Sequence, residues 1–371
     1  MDGPAPPHDA VTLFLGGDLM TGRGVDQILP HPSRPALREP HIRDARAYVA
    51  LAESVSGPIP RGVGPEYIWG DALKELDRMA PAARIVNLET SVTRCEDYWP
   101  GKRIHYRMHP ANVACLRAAG LDVCVLANNH VLDFGRPGLE ETLDTLTAAG
   151  LRTAGAGRNL AEARRPAAVG LPGGGRVLVF GVGVESSGIP PAWAAGPDRP
   201  GVDFLAAPSD AAADEIVERA ARERRPGDIV VVSVHWGGNW GYDVPRAHVR
   251  FAHRLIEGGV DLIHGHSSHH PRPLEVYRGR LVLYGSGDLL DDYEGITGYE
   301  EFRDDLVLLY FPTLDRTGRL LRLRMSPMRI HRMRLNRASL EEAEWLRDTL
   351  ERVSGEFGAA VALADGRLVL R

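Results

Sequence analysis

Several short segments of this chain place metal-ligating residues directly after an apolar run. Phe14 and Leu15 pass through Gly16 and Gly17 into Asp18. Ile85 and Val86 lead to Asn87 and Glu89. Leu126 and Ala127 lead to Asn128, Asn129 and His130, with Asp133 close behind. Val232-Ser233-Val234 runs into His235, Trp236 and two glycines. The densest segment runs from His264 through His266 to His269 and His270. Taken singly, each has an ordinary structural reading. An Asp after two glycines serves as a turn or helix cap, Asn-Asn-His forms an Asx turn, and a strand histidine is satisfied in the core. Taken together, carboxylate, amide and imidazole donors are the set that suits zinc, manganese or iron.

The elements that must carry these residues alternate. Apolar, β-branched runs at Val11–Leu15, Arg84–Leu88, Val123–Ala127, Val177–Val182, Ile229–Val234, Leu262–His264 and Leu281–Tyr284 read as strands. Amphipathic stretches at Trp69–Met79, Asn112–Ala119, Gly138–Ala149, Ala212–Arg224, Arg246–Glu257 and Leu340–Ser354 read as helices, several of them ending at glycine. In such α/β alternation ligands gather at the carboxyl ends of strands, which is where the polar segments fall. Pro30–Gly64 and Ser186–Pro208 interrupt the pattern and are candidate pocket walls. Alternating stretches beyond Asp305 predict an antiparallel edge. With no linker in between, residues 1–371 are expected to form one domain with a C-terminal extension from about residue 312.

Composition narrows the function. Hydrophobic residues make up 44% and charged residues 25%, a balance that permits a large buried core. The formal charge of −5 lacks the basic stripe that a phosphate backbone requires, so nucleic acid is not an expected partner. No run approaches the roughly 18 apolar residues of a spanning helix, and Met1–Ala10 has no signal-peptide pattern; a cytoplasmic address without membrane is expected. Cys95, Cys115 and Cys124 are odd in number and lack metal-type spacing, which argues against a disulfide framework.

The ordered motifs Gly17-Asp18-Leu19-Met20, Asn87-Leu88-Glu89, Asn128-Asn129-His130, His235-Trp236-Gly237 and Gly265-His266 with His269, followed by Glu275-Val276-Tyr277, resemble the CapA (capsule, poly-γ-glutamate synthesis) family of calcineurin-like metallophosphoesterases. The similarity runs from about Val11 to Tyr284. It implies a four-layer α-β-β-α sandwich and one or two divalent ions, with manganese, zinc, iron or calcium as candidates. By that resemblance Glu89 takes the bridging position, Asn129, His235 and His266 complete one metal site, Asp18 and His269 contribute to the other, and His130 matches the general acid. Two departures stand out. The superfamily's Asp-x-His start is here Asp18-Leu19-Met20, which removes a ligand, and the bridging Asp is a longer Glu.

Such a metal can activate water for hydrolysis or polarise a carboxylate so that the adjacent Cα proton can leave. The second option fits a relative of the family, an epimerase of the C-terminal residue of lasso precursor peptides. Cα epimerisation of a peptide or small carboxylate is therefore the leading expectation, and hydrolysis of a phosphoester, γ-glutamyl or peptide bond of the capsule type the alternative. A non-catalytic binding protein would leave His130 without a purpose. His130 is the first acid/base candidate; His269, or Glu185 at a strand end, is the candidate for the opposite face. Arg103, Tyr106 and Arg107 form a basic, aromatic patch that reads either as a carboxylate-binding surface or as a solvated loop. Trp236, beside a proposed ligand, is the candidate aromatic wall.

Overall fold

The computed structural model describes residues 10–371, so the reading of the N-terminal segment falls, Ala10 aside, outside the described residues. Successive strand side chains point to opposite faces, and this alternation sorts the apolar residues into layers. Leu13 and Leu15 join one cluster and Phe14 another; Val177 and Val179 alternate with Leu178, Phe180 and Val182; Ile229 and Val231 alternate with Val230, Val232 and Val234. The three clusters fill the three interfaces of a helix–sheet–sheet–helix stack. Leu76 of Ala72–Met79 and Leu139 of Gly135–Ala148 cover the outer face of one sheet. Ile216 of Asp210–Glu223 and Phe251 of Arg246–Glu257 cover the other. This is the four-layer α-β-β-α sandwich.

Among the described residues the first sheet has ten strands. Val11–Leu19 lies centrally, with Ala83–Leu88, Val123–Val125 and Arg152–Ala154 in parallel on one side. On the other side Leu306–Leu314 and Leu320–Ile330 run antiparallel, and the hairpin Val361–Ala364 with Arg367–Leu370 closes that edge. Residue 312 therefore falls inside a buried strand beside the first one, and the extension expected from there is part of the main sheet. The second sheet has seven strands, with Arg176–Val184, Ile229–His235, Leu262–His266 and Arg280–Leu283 parallel in that order.

Both interrupting segments are ordered by packing. Pro30–Gly64 contains the helix Arg46–Ser56, whose Val49 and Ala52 enter the first sheet's outer core. The proline-rich frame around it obscured that helix in the sequence. Within Ser186–Pro208, Gly201–Val202 pairs with Ala156–Gly157 and Phe204–Leu205 extends the second sheet. No helix among the described residues is long and apolar enough to cross a membrane.

Candidate metal centre

The candidate centre continues the inter-sheet core. Along each strand the face that is apolar near the amino end turns polar at the carboxyl end. The row of Ala83 and Ile85 goes on to Asn87 and Glu89, that of Ile229 and Val231 to Ser233 and His235, and that of Leu262 to His264 and His266. Asp18 reaches the same face through a register shift between Gly16 and Asp18, which pairs Asp18 with Asn87. Gly17 is required at that irregularity, because a Cβ there would lie 1.8 Å from the carbonyl oxygen of Gly287. The partner in that close approach is a second Gly-Asp step, and Asp288 pairs in register with Asp18.

Two groups of buried donors result, each with one ligand atom per residue within 4.8 Å of the others: Asp18, His235 and His266, and Asp18, His269 and Asp288. Asp18 is thus common to both, the role the resemblance gives to Glu89. Its Oδ1 accepts from Asn87 Nδ2 at 2.7 Å and its Oδ2 from the Ser267 N–H at 3.0 Å. Glu89 stands alongside, its Oε1 3.8 Å from the Nε2 atoms of both His130 and His235.

The donors fit a divalent metal on grounds of their own. Assigning ring protons from hydrogen-bond partners, His235 Nε2 donates to Asn129 Oδ1 at 3.0 Å and His266 Nε2 meets Ser233 Oγ at 2.9 Å. Both Nδ1 atoms are then left with lone pairs, facing each other at 2.7 Å. A cation between them and Asp18 turns that repulsion into ligation, with Asn129 and Ser233 fixing the rings from behind. Asp288 Oδ2 is buried and has no partner. Burial pushes the Asp18 carboxyl up to about 6, against the pull of His269, Asn87, Glu89 and Ser267. Burial and then Asp18 hold Glu89 and Asp288 well above the carboxylate range. Burial keeps His235 and His266 well below the usual imidazole value, hence neutral and able to ligate.

His130 borders this cluster. Its Nδ1 lies 2.7 Å from Asp133 Oδ2 and 3.1 Å from Lys102 Nζ; with the ring proton assigned to the shorter bond, to Asp133, Nε2 points unprotonated toward Glu89. Asp133 also accepts the Tyr106 N–H at 2.7 Å and is bonded by Lys102, whose ammonium reaches the Asn129 carbonyl oxygen as well. The Tyr106 ring packs edge-on against the His130 ring at 4.4 Å, and its hydroxyl pairs with that of Tyr293 at 3.0 Å.

Asp18, Glu89, Asn129, His130, His235, His266 and His269 are therefore brought together, with Tyr106 behind them. Other expected residues stand apart. Trp236 faces the helix side of its sheet, donating to the Tyr284 carbonyl oxygen at 2.9 Å and stacking on His248, so it walls no pocket. Arg107 bonds the carbonyl oxygens of Cys95 and Arg34 and stacks on Phe134, which makes it a loop tie. Arg103 and Glu185 are exposed, and no hydrogen bond among the described residues joins Glu185 to the cluster. The strand ends at Val184, and the chain leaves the sheet there in the 3-10 turn Glu185–Ser187. Sequence reasoning passed over Asp288, Asn87 and Lys102 as site residues. Asp288 had a usable signal, since Gly287-Asp288 after the apolar run Leu281–Tyr284 repeats the grammar of Gly17-Asp18.

Comparison with known proteins shows the family of the chain. The family model described as "Bacterial capsule synthesis protein PGA_cap" matches residues 12–293. A "Probable polyglutamine synthesis accessory protein" of Mycobacterium tuberculosis is 51% identical over 97% of this chain and 96% of its own length. The "PGA biosynthesis protein CapA" of Bacillus subtilis is 29% identical over 66% of this chain and 60% of its own. The "Capsule biosynthesis protein CapA" of Bacillus anthracis is 27% identical over 82% and 64%. With more than half of its length matched by the model, the chain belongs to the bacterial capsule synthesis (PGA_cap, CapA-like) family of calcineurin-like metallophosphoesterases.

Proposed function

We propose that this protein is a divalent-metal-dependent hydrolase of amide bonds in a glutamate- or glutamine-type polymer, acting in the making or trimming of that polymer. The observation that carries the reading is the pair of donor groups sharing Asp18, with the unprotonated Nε2 of His130 at their border. The names of the relatives, which speak of polyglutamine and capsule polymer, support the substrate class. Asp18, His235 and His266, or Asp18, His269 and Asp288, would hold a divalent cation, which would supply Lewis-acid chemistry for activating water and polarising a carbonyl. His130 Nε2 accepts the proton of the attacking water and returns it to the leaving amide nitrogen. Asp133 keeps the other ring nitrogen protonated throughout and Lys102 anchors Asp133. The water oxygen ends in the new carboxylate and the two protons on the freed amine.

Cα epimerisation, the leading expectation from sequence, has thinner support. It needs a second acid/base across the reacting carbon; of the two candidates, Glu185 is exposed and unconnected to the cluster, and His269 has its ring nitrogens engaged by Asp288 at 2.9 Å and Asn239 at 3.0 Å. The deciding experiment incubates the manganese-loaded protein with polyglutamine and poly-γ-glutamate in 18O-labelled water and, separately, in heavy water. Hydrolysis gives shorter chains carrying one 18O in each new carboxyl group. Unchanged chain length with deuterium at Cα would replace this reading with epimerisation.

A further inference from the structure

We infer that Ser267 is a positioning residue of the centre: its strained backbone and its hydroxyl bind the segments carrying Asp18, His235 and His266 into one unit. This rests on reading the cluster as a metal centre, and it assigns a role to a residue whose N–H and hydroxyl are turned on the protein.

The strand Leu262–His266 ends where its last ring enters the cluster, and the next residue turns the chain at once. Ser267 does so at a φ of 102°. The other non-glycine residues with positive φ among those described lie between 41° and 59°, in or beside the small left-handed region open to a residue with a Cβ. Ser267 lies outside that region. Such a conformation is strained and persists only where the surroundings over-determine it. Here they do, on both sides of the turn. Before it, the Gly265 carbonyl oxygen accepts the Ser286 N–H at 2.8 Å, and that of His266 accepts the Trp236 N–H at 3.2 Å. After it, the Ser268 hydroxyl donates to the His270 carbonyl oxygen at 2.9 Å, and the His269 N–H to that of Asn239 at 3.0 Å.

The strained conformation aims two bonds. The buried Ser267 N–H donates to Asp18 Oδ2 at 3.0 Å, and Oγ donates to the Gly237 carbonyl oxygen at 3.1 Å. Asp18 belongs to both donor groups, His235 stands two residues before Gly237, and His266 immediately precedes Ser267. All three members of the first donor group therefore meet at this one residue. Asp18 comes from the first sheet and both histidines from the second, so the Ser267 N–H is also a link between sheets at the point where ligand spacing is set. Partners behind the ligands orient them and tune their affinity. Glycine would take the same φ without strain, but it has no hydroxyl to hold Gly237. The serine keeps the strain and gains the tie.

The test titrates the chelated full chain with Co2+, whose visible absorption reports occupancy and ligand geometry, and measures the melting temperature of the metal-free protein. Ser267→Gly relieves the strain and removes the hydroxyl. Its melting temperature should stay near or above that of the wild type, while Co2+ binds about 10-fold more weakly with an altered absorption band. Ser267→Ala keeps the strain without the tie and should lose both affinity and melting temperature. Ser354→Ala removes another buried hydroxyl, one that accepts the Leu274 N–H at 3.1 Å, and should lower the melting temperature with Co2+ affinity and spectrum kept. If Ser267→Ala fails to fold by circular dichroism, Ser267→Gly decides. Wild-type affinity and spectrum in Ser267→Gly, or an equal loss of affinity in Ser354→Ala, would overturn the inference. A wild type that binds no Co2+ would overturn it together with the metal centre itself.

Discussion

Both ends of the parallel strands bury carboxylates, and they treat them in opposite ways. At the amino ends of the parallel strands, Asp228 meets Arg176 at 2.6 Å, and Asp261 meets Arg224 at 2.9 Å and Arg280 at 3.0 Å. Asp228 also takes the Arg225 N–H at 3.0 Å, and Asp261 the Val230 N–H at 2.9 Å. At the carboxyl ends, Asp18, Glu89, Asp288 and Asp291 have histidines, amides and one another, with no arginine on any of them among the described hydrogen bonds and ion pairs. One pole neutralises its charges with side chains the protein owns. The other is built to receive charge from outside, and that difference separates a structural acid cluster from a functional one.

The comparison can be broken in several ways. The largest effect is expected for His130→Gln, which leaves the metal donors intact and should lower turnover about 10²–10⁴-fold. Retained metal content with lost activity is the expected pair of readings. Next, saturating manganese should raise the melting temperature of chelated protein, with about 2.7 kcal/mol of stabilisation at a hundredfold excess over Kd. Thermal denaturation at graded manganese measures it, and a flat response would remove the functional pole.

The same substitution should then have opposite signs at the two poles. Asp228→Asn strands the Arg176 guanidinium and should cost about 2 kcal/mol. Asp18→Asn in chelated protein removes one of several repelling charges and should stabilise by about 0.5–2 kcal/mol. Urea denaturation of both variants sharpens the contrast. pH separates the poles further. Burial raises the Asp228 carboxyl, but Arg176 and the Arg225 N–H outweigh it and leave it lowered. A group whose folded pKa is depressed contributes stability above its unfolded value, roughly 3.9, and loses it as pH falls through the folded one. The gap between wild type and Asp228→Asn should therefore be full at pH 7 and close below about pH 4. The smallest effects belong to residues away from both poles. Trp236→Phe forfeits one buried hydrogen bond and should cost about 1 kcal/mol with activity kept, and Arg103→Ala should stay within about 0.5 kcal/mol.

Much of this was legible in the chain. Period-two alternation marked the strands, and the helices Arg246–Glu257 and Leu340–Ser354 end at the residues the sequence indicates. Asp18, His235 and His266 could be found because each follows an apolar run directly. Two strands were read too short for the same reason: His235 and His266 are themselves strand residues, and polarity at the site mimics the end of an element. Asp288 was hidden by distance, since only the pairing of a three-residue strand with the first strand brings it beside Asp18. Arg107 and Trp236 misled because residue type cannot tell a loop tie or a core indole from a binding group. That depends on which side of the backbone faces the cluster.

The most direct test of the two-pole account is the divalent metal content of three purified chains dialysed against manganese: wild type, Asp18→Asn and Asp228→Asn. The account predicts bound metal in the wild type and Asp228→Asn and its loss in Asp18→Asn, the residue common to both donor groups. Metal retained in full by Asp18→Asn, or absent from a folded wild type, would contradict it.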